Sequence, residues 1–395
     1  MHGMKNIGIL IERQRAYGRR LCNGVIRFAR ERGDWNLGIV EFASLSRRSL
    51  LAKYDGFIAR VMNDGMAERL KASGRPVVDV FFERPIDGFA AADQDASKVG
   101  QLAASHFMEH RFTRFAFCGY NGRSYSDTRR DAFVRCLALH HFGCETYRTP
   151  KSALRSFDDS VVLSERFGAA PDAKNLERWI RGLKKPVAVF CAHDMRAYQL
   201  IEVCRRLGVS VPDEVAVLGV DDDELVCNFV SPTISSIDQN AAGIGYAAAR
   251  ALQEMFDSPG HVPAVAKVPP LRLMPRQSTE TYPIEPKWLS DALVYISANI
   301  SRGINAADVH AHVGKSHTLV ESAFRERLGT SVKKEVMRVR LDEARRLLET
   351  TDLPIGRIAS MSGFGSQQYL SASFRRNLGA TPLSFRTGAR QPAAS

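Results

Sequence analysis

The stretch Ser316-His317-Thr318-Leu319-Val320, followed by Phe324-Arg325 and Leu328-Gly329, returns fifty residues later as Ser366-Gln367-Gln368-Tyr369-Leu370, Phe374-Arg375 and Leu378-Gly379. In each copy a serine precedes a helix-length run, an aromatic-basic pair follows, and a glycine closes it. A serine hydroxyl accepts a bond from one of the N–H groups that a first helical turn leaves unpaired, so Ser316 and Ser366 read as N-caps. Ahead of each copy the pattern predicts a short apolar helix and a glycine turn: Ile304 to Val313 with Gly314, and Ile355 to Ser362 with Gly363-Phe364. Helix, tight turn and capped helix make a helix-turn-helix, whose second helix enters the major groove of DNA. Two units are expected, at about 304–328 and 355–378.

Between them, Val332 to about Thr350 reads as one helix. Val332, Val336, Val339, Ala344 and Leu347 fall on one face, widened by Leu341 and Leu348, as suits a helix that packs on both units. Nineteen residues span about 28 Å at 1.5 Å per residue. That approximates the roughly 34 Å repeat of duplex DNA, so two reading helices could enter successive major grooves.

Charge points the same way. The chain of 395 residues carries a formal +12, and residues 286–395 hold sixteen Lys/Arg against nine Asp/Glu. A basic end favours a polyanionic partner, here double-stranded operator DNA. No apolar run reaches the 18 to 20 or so residues that cross a bilayer, so no membrane partner is expected. The N-terminal apolar run is broken by Glu12 and Arg13 and reads as a buried strand, not a signal peptide. Seven scattered cysteines, without C-x-x-C or a His/Cys cluster at metal spacing, suit a reduced cytoplasmic protein with no metal and no cofactor.

Upstream, short runs alternate with amphipathic helices. Ile7–Ile11, Gly56–Ala59, Val77–Val80, Arg114–Cys118, Pro186–Cys191 and Val215–Val220 are apolar on both faces, as parallel-sheet strands are. Such alternation over some 270 residues predicts an α/β architecture in two lobes, followed by an all-α domain. The division expected is 1–280, a proline-marked linker at 281–287, and 288–395. The Gly8 region lacks G-x-G-x-x-G, which removes support for a dinucleotide.

Polar clusters stand at strand ends: Tyr17 after the first, Ala192-His193-Asp194-Met195-Arg196 after a later one, Asp221-Asp222-Asp223 after the next. Ligands bind at the carboxyl ends of strands in open α/β sheets. Carboxylates and arginines there suit a polyhydroxylated ligand, because aspartate accepts from neighbouring hydroxyls and arginine donates in a fork. Other readings are an Asp194/Asp221 acid/base pair, a metal on His193 and Asp221 to Asp223, or carboxylates that only favour helix starts.

Residues 286 to about 388 resemble the AraC/XylS DNA-binding domain. The resemblance rests on Ala344-x-x-Leu347-Leu348-x-x-Thr351, Ile355-x-x-Ile358-Ala359, Gly363-Phe364-x-Ser366, Tyr369-Leu370, Phe374-Arg375 and Gly379-x-Thr381-Pro382-x-x-Phe385-Arg386. By position it implies Ser316, His317, Thr318 and Glu321 in the first unit, and Ser366, Gln367, Gln368 and Ser371 in the second, as residues at the DNA. Gln can bond adenine bidentately, and Arg325, Arg375 and Arg376 are expected on phosphate. This chain departs from the family pattern at Ser322 and Ala372, where an arginine is frequent, and at His310, where a small alanine is usual.

The stretches Ala192-His193-Asp194, Leu207-Gly208-Val209-Ser210-Val211-Pro212-Asp213-Glu214-Val215, Gly219-Val220-Asp221-Asp222 and Ser231-Pro232-Thr233-Ile234-Ser235-Ser236-Ile237 resemble the effector domain of LacI/GalR-type regulators, a periplasmic-binding-protein-like fold. The resemblance implies a small sugar, a pentose, as effector. Asp194, Asp221 and Arg129 match sugar-contacting positions, and Tyr17 and Arg196 join them. His193 replaces the usual asparagine. After Gly56–Ala59, Arg60, Met62 and Asn63 stand where pentose-sensing relatives are acidic, so one side of the sugar site is changed. The function implied is a sugar-responsive regulator, not an enzyme, working as a homodimer and, if an activator, with RNA polymerase. A domain that only dimerises or binds a non-sugar ligand is the alternative, an enzyme acting on a sugar a more distant one.

Overall fold

The computed structural model describes residues 4–150, 170 and 172–390. It divides into two compact units, Met1–Glu280 and Thr281–Ser395.

The first unit holds two six-stranded sheets. One joins β1 (Lys5–Leu10), β2 (Trp35–Ile39), β3 (Gly56–Ala59), β4 (Val77–Asp79), β5 (Ala90–Gln94) and β11 (Ala266–Val268), in the order β11-β5-β4-β3-β1-β2, all parallel. The other joins β6 (Phe115–Cys118), β7 (Cys144–Thr146), β8 (Val187–Cys191), β9 (Val215–Val220), β10 (Ser235–Asp238) and β12 (Arg272–Met274), in the order β12-β10-β9-β8-β6-β7. Only β12 is antiparallel to its neighbour. The chain passes between lobes three times: after β5, after β10 and after β11.

Parallel strands need crossovers, and helices supply most of them, whereas β4 joins β5 through a loop. Helices α1 (Ala16–Arg32), α2 (Ala96–Glu109), α3 (Ser124–Leu139), α4 (Asp194–Leu207) and α5 (Ala241–Asp257) cover the sheets. Leu21, Val25 and Phe28 of α1 and Ile244, Ala248 and Leu252 of α5 share one core with Ile7, Ile58 and Val78. Val99, Ala103 and Phe107 of α2 and Phe133 of α3 share another with Phe115, Phe190 and Leu218.

The six runs read as strands appear as β1, β3, β4, β6, β8 and β9. The other six escaped the sequence for a physical reason. None of them has more than one Val, Ile or Phe, the residues that mark a buried strand.

The second unit is helical: α6 (Lys287–Asn299), α7 (Ala306–Val313), α8 (His317–Leu328), α9 (Val332–Thr350), α10 (Ile355–Met361), α11 (Gln367–Leu378) and α12 (Pro382–Arg390). The segment read as a linker is packed at its start. Thr281 and Tyr282 are buried, and the Tyr282 N–H donates to Ser290 Oγ at 3.1 Å.

Helix α9 serves two cores. Val332 and Val336 pack with Leu289, Ile296, Val309, Val320 and Phe324; Leu341, Ala344, Leu347 and Leu348 pack with Ile358, Ala359, Leu370 and Phe374. Phe324 and Phe374, equivalent in the repeat, are fully buried, each worth about 2–3 kcal/mol. The halves are tied directly as well. Arg340 donates to the Ile304 carbonyl at 2.9 Å and to the Gly303 carbonyl at 3.2 Å. Gly363, at φ +76°, lies so close to Ile300 that a Cβ would stand 2.1 Å from its carbonyl oxygen. Only glycine fits that turn.

Candidate ligand cleft and nucleic-acid interface

The carboxyl ends of β1, β3, β4 and β5 in one lobe face those of β8 and β9 in the other. At the end of β9 the backbone is strained: Asp221 has φ +113° and Asp222 φ +49°, a region that non-glycine residues rarely occupy. The turn is held from several sides. The Asp221 N–H donates to the Ile237 carbonyl at 2.9 Å, and the Asp222 N–H to Ser236 Oγ at 3.0 Å. The Asp223 N–H donates to Asp194 Oδ2 at 2.8 Å, while Ser236 donates to Asp194 Oδ1 at 2.5 Å. Asp194 thus braces the turn with both oxygens. It presses so closely on β9 that a Cβ at Gly219 would lie 2.2 Å from its Oδ1. Burial, and then the charge of Asp221, push its carboxyl well above the usual range.

Arg129 is the hub. Its guanidinium donates to Gln94 Oε1 at 3.0 Å, to Gln239 Oε1 at 2.7 Å and to the Ala192 carbonyl. The Gln239 amide in turn donates to Asp221 Oδ1. Gln94 ends β5, so this chain of bonds draws on both lobes. Burial pushes the Asp221 carboxyl up to about 6, against the opposing pull of Arg129 and Arg15. Tyr17 is raised too, by burial first and then by the charge of Asp93; Arg60, Asp221 and Arg129, from both lobes, also act on it.

His193 caps α4. Its Nδ1 accepts the Arg196 N–H at 3.1 Å, and burial, with Arg15 next, drives its pKa well down. A neutral imidazole whose Nδ1 accepts carries its proton on Nε2. That Nε2–H is buried and has no hydrogen-bond partner among the described residues. Across the cleft, Arg60 pairs with Glu12, and Arg60 Nε and Glu12 Oε2 are likewise unpartnered. Phe81, beneath the Arg60 guanidinium at 4.3 Å, approaches Tyr125 of the other lobe at 6.5 Å. Tyr125 and Tyr120 flank His193 at 6.1 and 5.5 Å, completing an aromatic wall.

Beside the cleft the lobes are latched. Arg20 of α1 donates to the carbonyls of Asp221 and Asp222 at 3.0 and 2.9 Å. The Ala16 N–H donates to Asp223 Oδ2 at 3.1 Å, and the Ser124 N–H to Glu83 Oε2 at 2.8 Å.

Of the residues expected at a ligand, Tyr17, Arg129, Asp194 and Asp221 come together. Arg196 does not. It lies fully buried inside the second lobe, paired with Asp172 through two bonds of 3.0 and 2.8 Å. The rings of Tyr120 and Tyr147 stand 4.8 and 5.1 Å from it. A guanidinium two residues into a helix cannot reach the strand-end surface that Asp194 begins, and Asp172 holds its fork. Glu12, Gln94, Gln239, Phe81 and Tyr125 were not singled out as ligand residues in the sequence. Gln239 could have been, because it directly follows Ser235–Asp238.

In the helical unit both serines cap as their spacing implies: Ser316 Oγ accepts from the Leu319 N–H at 3.3 Å, Ser366 Oγ from the Tyr369 N–H at 3.1 Å. His317, Thr318, Arg325, Gln367, Gln368, Arg375 and Arg376 are exposed, and Glu321 and Ser371 half-buried. Glu321 is engaged, with His310 Nε2 3.4 Å from its carboxylate.

Two lobes with facing strand ends, followed by paired helix-turn-helix units, define a transcription regulator in which an effector domain governs a DNA reader. Residues 104–279 match the periplasmic binding protein-like domain and residues 310–388 a helix-turn-helix domain. The chain thus joins a periplasmic-binding-protein-like domain to a helix-turn-helix domain of the AraC type, the combination of a transcription regulator. It is similar to the xylose operon regulatory protein of Escherichia coli (strain K12), 26% identical over 96% of each chain. The protein of that name from Haemophilus influenzae is 25% identical, over 96% of this chain and 97% of its own. Among solved structures, that of the xylose-binding transcription activator xylR aligns over 98% of both chains, with a TM-score of 0.61 and 26% identity. No helix among the described residues is long and apolar enough to cross a membrane.

Proposed function

We propose that this chain is a cytoplasmic, sugar-responsive regulator of a pentose-utilisation operon, with D-xylose or a close stereoisomer as its effector, and not an enzyme. One observation carries the reading: buried polar groups from both lobes converge on one cleft with hydrogen-bonding capacity left over. Glu12 Oε2, Arg60 Nε and His193 Nε2 have no hydrogen-bond partner among the described residues, beside the strained Asp221. Unmet buried polar groups cost about 1–3 kcal/mol each, and sugar hydroxyls both donate and accept. The aromatic rings of Phe81 and Tyr125 offer an apolar wall for the C–H faces of a sugar ring.

In this reading Asp221 accepts from ring hydroxyls, Tyr17 and His193 donate, and Arg129 fixes Gln239 and Asp221. Asp194 acts one step back, as the brace of the turn. That role argues against an acid/base pair, since both its oxygens are engaged. The sugar favours the closed arrangement of the lobes by its differential affinity, and the Arg20 latch reports closure. Closure changes how two copies meet in a homodimer and so how the reader domains sit on repeated half-sites; RNA polymerase is the further partner of an activator. On DNA, His317, Thr318, Gln367 and Gln368 face base edges, with Ser371 beside them and Glu321 limited by His310. Arg325, Arg375 and Arg376 face phosphate.

The test is calorimetric titration of the full chain with pentoses and hexoses. Saturable binding of one pentose, with tighter binding to operator DNA in its presence, is expected. Binding of no sugar at millimolar concentration refutes the effector assignment. DNA affinity that does not fall as salt rises from about 50 to 200 mM refutes the reader assignment.

A further inference from the structure

His310, which departs from the family pattern, does not simply fill a core position. It reaches His317 and Glu321, and one ligand atom from each of the three lies within 4.8 Å of the other two. His310 comes from α7; His317 opens α8, and Glu321 stands one turn further along the same face. The His310 ring stacks on that of His317 at 4.1 Å. Both ring nitrogens of His310 are buried and lack a hydrogen-bond partner among the described residues, although its side chain is only 13% exposed. A neutral imidazole has a donor and an acceptor to satisfy; the Glu321 carboxylate stands 3.4 Å from Nε2 without forming a hydrogen bond, which leaves room for one ion between the two.

We infer that His310, His317 and Glu321 form a site for a divalent transition-metal ion of the zinc class. Two imidazoles and a carboxylate are a zinc donor set, with metal–ligand distances of about 2.0–2.2 Å and, with three protein ligands, one open position for water. Ligands of one tetrahedral ion at those distances stand about 3.3–3.6 Å apart. The 3.4 Å between His310 Nε2 and Glu321 already has that spacing. His317 is exposed; to share the ion its ring must turn out of the stack on His310. The nearby His312 is stacked on Tyr295 at 3.9 Å and is not part of the cluster. The spacing in the chain, His-x6-His-x3-Glu, is no recognised ligand signature; the turn between two helices assembles it.

The ion links the two helices of the first helix-turn-helix unit. It also holds two side chains that the DNA-reading assignment puts near the bases, so metal occupancy and base reading at that unit compete. This consequence rests on the reader assignment; the metal site does not.

The experiment uses the full chain, freed of metal by chelation and kept reduced. Zn2+ is titrated in competition with a chromophoric chelator, without DNA, and Co2+ supplies a spectrum. One saturable equivalent per chain is expected that binds at least tenfold more weakly in His317→Ala and Glu321→Gln, two replacements outside the core, and in His310→Ala. The Co2+ complex should show d–d bands of nitrogen and oxygen ligands without the charge-transfer absorption of thiolates. Absence of a saturable equivalent overturns the proposal. So does an equivalent that survives all three replacements or carries a thiolate band, which assigns the metal to cysteines. A fourth measurement, operator affinity with and without Zn2+, should differ in the wild type and not in Glu321→Gln. If metal binds as described but no operator DNA is bound at all, the reader assignment fails and the metal site stands.

Discussion

Asp221→Asn should make the effector domain more stable and deaf to its sugar at once. Burial moves this carboxyl from 3.8 to about 6, which corresponds to about 3 kcal/mol against the charged form above pH 7. The side chain is only partly buried by surface area, and solvent screening reduces the figure to about 1–2 kcal/mol. An amide removes that cost and leaves the oxygen that accepts from Gln239 in place. For a domain of this size the melting temperature should rise by about 3–6 °C at pH 7.5. The sign follows from proton binding. A carboxyl raised in the folded state contributes stability that is fully present below about pH 4 and lost as pH rises through 6. The wild type loses that contribution between those values and the variant does not, so the gap between their melting curves should open from pH 4 to 7. Sugar affinity should fall about 10- to 150-fold, the value of a hydrogen bond to a charged group. Differential scanning calorimetry across that pH range, with calorimetric titration of D-xylose, reads both quantities. A variant no more stable than the wild type at pH 7.5, or a gap independent of pH, refutes the account of Asp221 as a charge held at a cost. Affinity within threefold of the wild type refutes its contact with the sugar.

Three further outcomes are expected. Arg196→Ala strands Asp172 as a buried charge and should cost about 3–5 kcal/mol in urea denaturation; where the variant is folded, its sugar affinity should change less than threefold, because Arg196 lies outside the cleft. Gly363→Ala forces a Cβ against the Ile300 carbonyl at φ +76°; it should destabilise the helical unit by about 1–3 kcal/mol, seen as a lower unfolding midpoint of that unit with the effector domain unchanged. Gln367→Ala should relax base preference at one operator position by about 1–3 kcal/mol, read by binding to a set of singly substituted operators, whereas Arg375→Ala should weaken all of them alike and reduce the salt slope by about one.

The reading helices were legible because their signals are local. A cap at Ser316 or Ser366 and a phenylalanine two turns on act within a single helix, and apolar spacing on Val332–Thr350 states which face is buried. The strands read from the sequence were legible for the same reason, each carrying two or three Val, Ile or Phe residues within a short run. The ligand site was legible only as a set of strand ends. Tyr17, Arg129, Asp194 and Asp221, expected at a ligand, lie at one cleft, but their roles depend on partners distant in sequence. Asp194 is a brace because Ser236 and Asp223 occupy both its oxygens. Arg196 is structural because Asp172, twenty-four residues earlier, holds its fork.

The sequence alone determined the class of the protein: an α/β effector domain ahead of two DNA-reading units, from periodicity, caps and charge. Tertiary structure decided which polar groups remain unpaired, and so what the cleft and the first reading unit are able to bind. The reason is physical. Helices and strands are specified by neighbours a few residues apart, whereas a hydrogen-bonding group is free or engaged according to what the fold sets about 3 Å from it. Glu12, Arg60 and His193 in the cleft, and His310 beneath His317 and Glu321, acquire their chemistry only there.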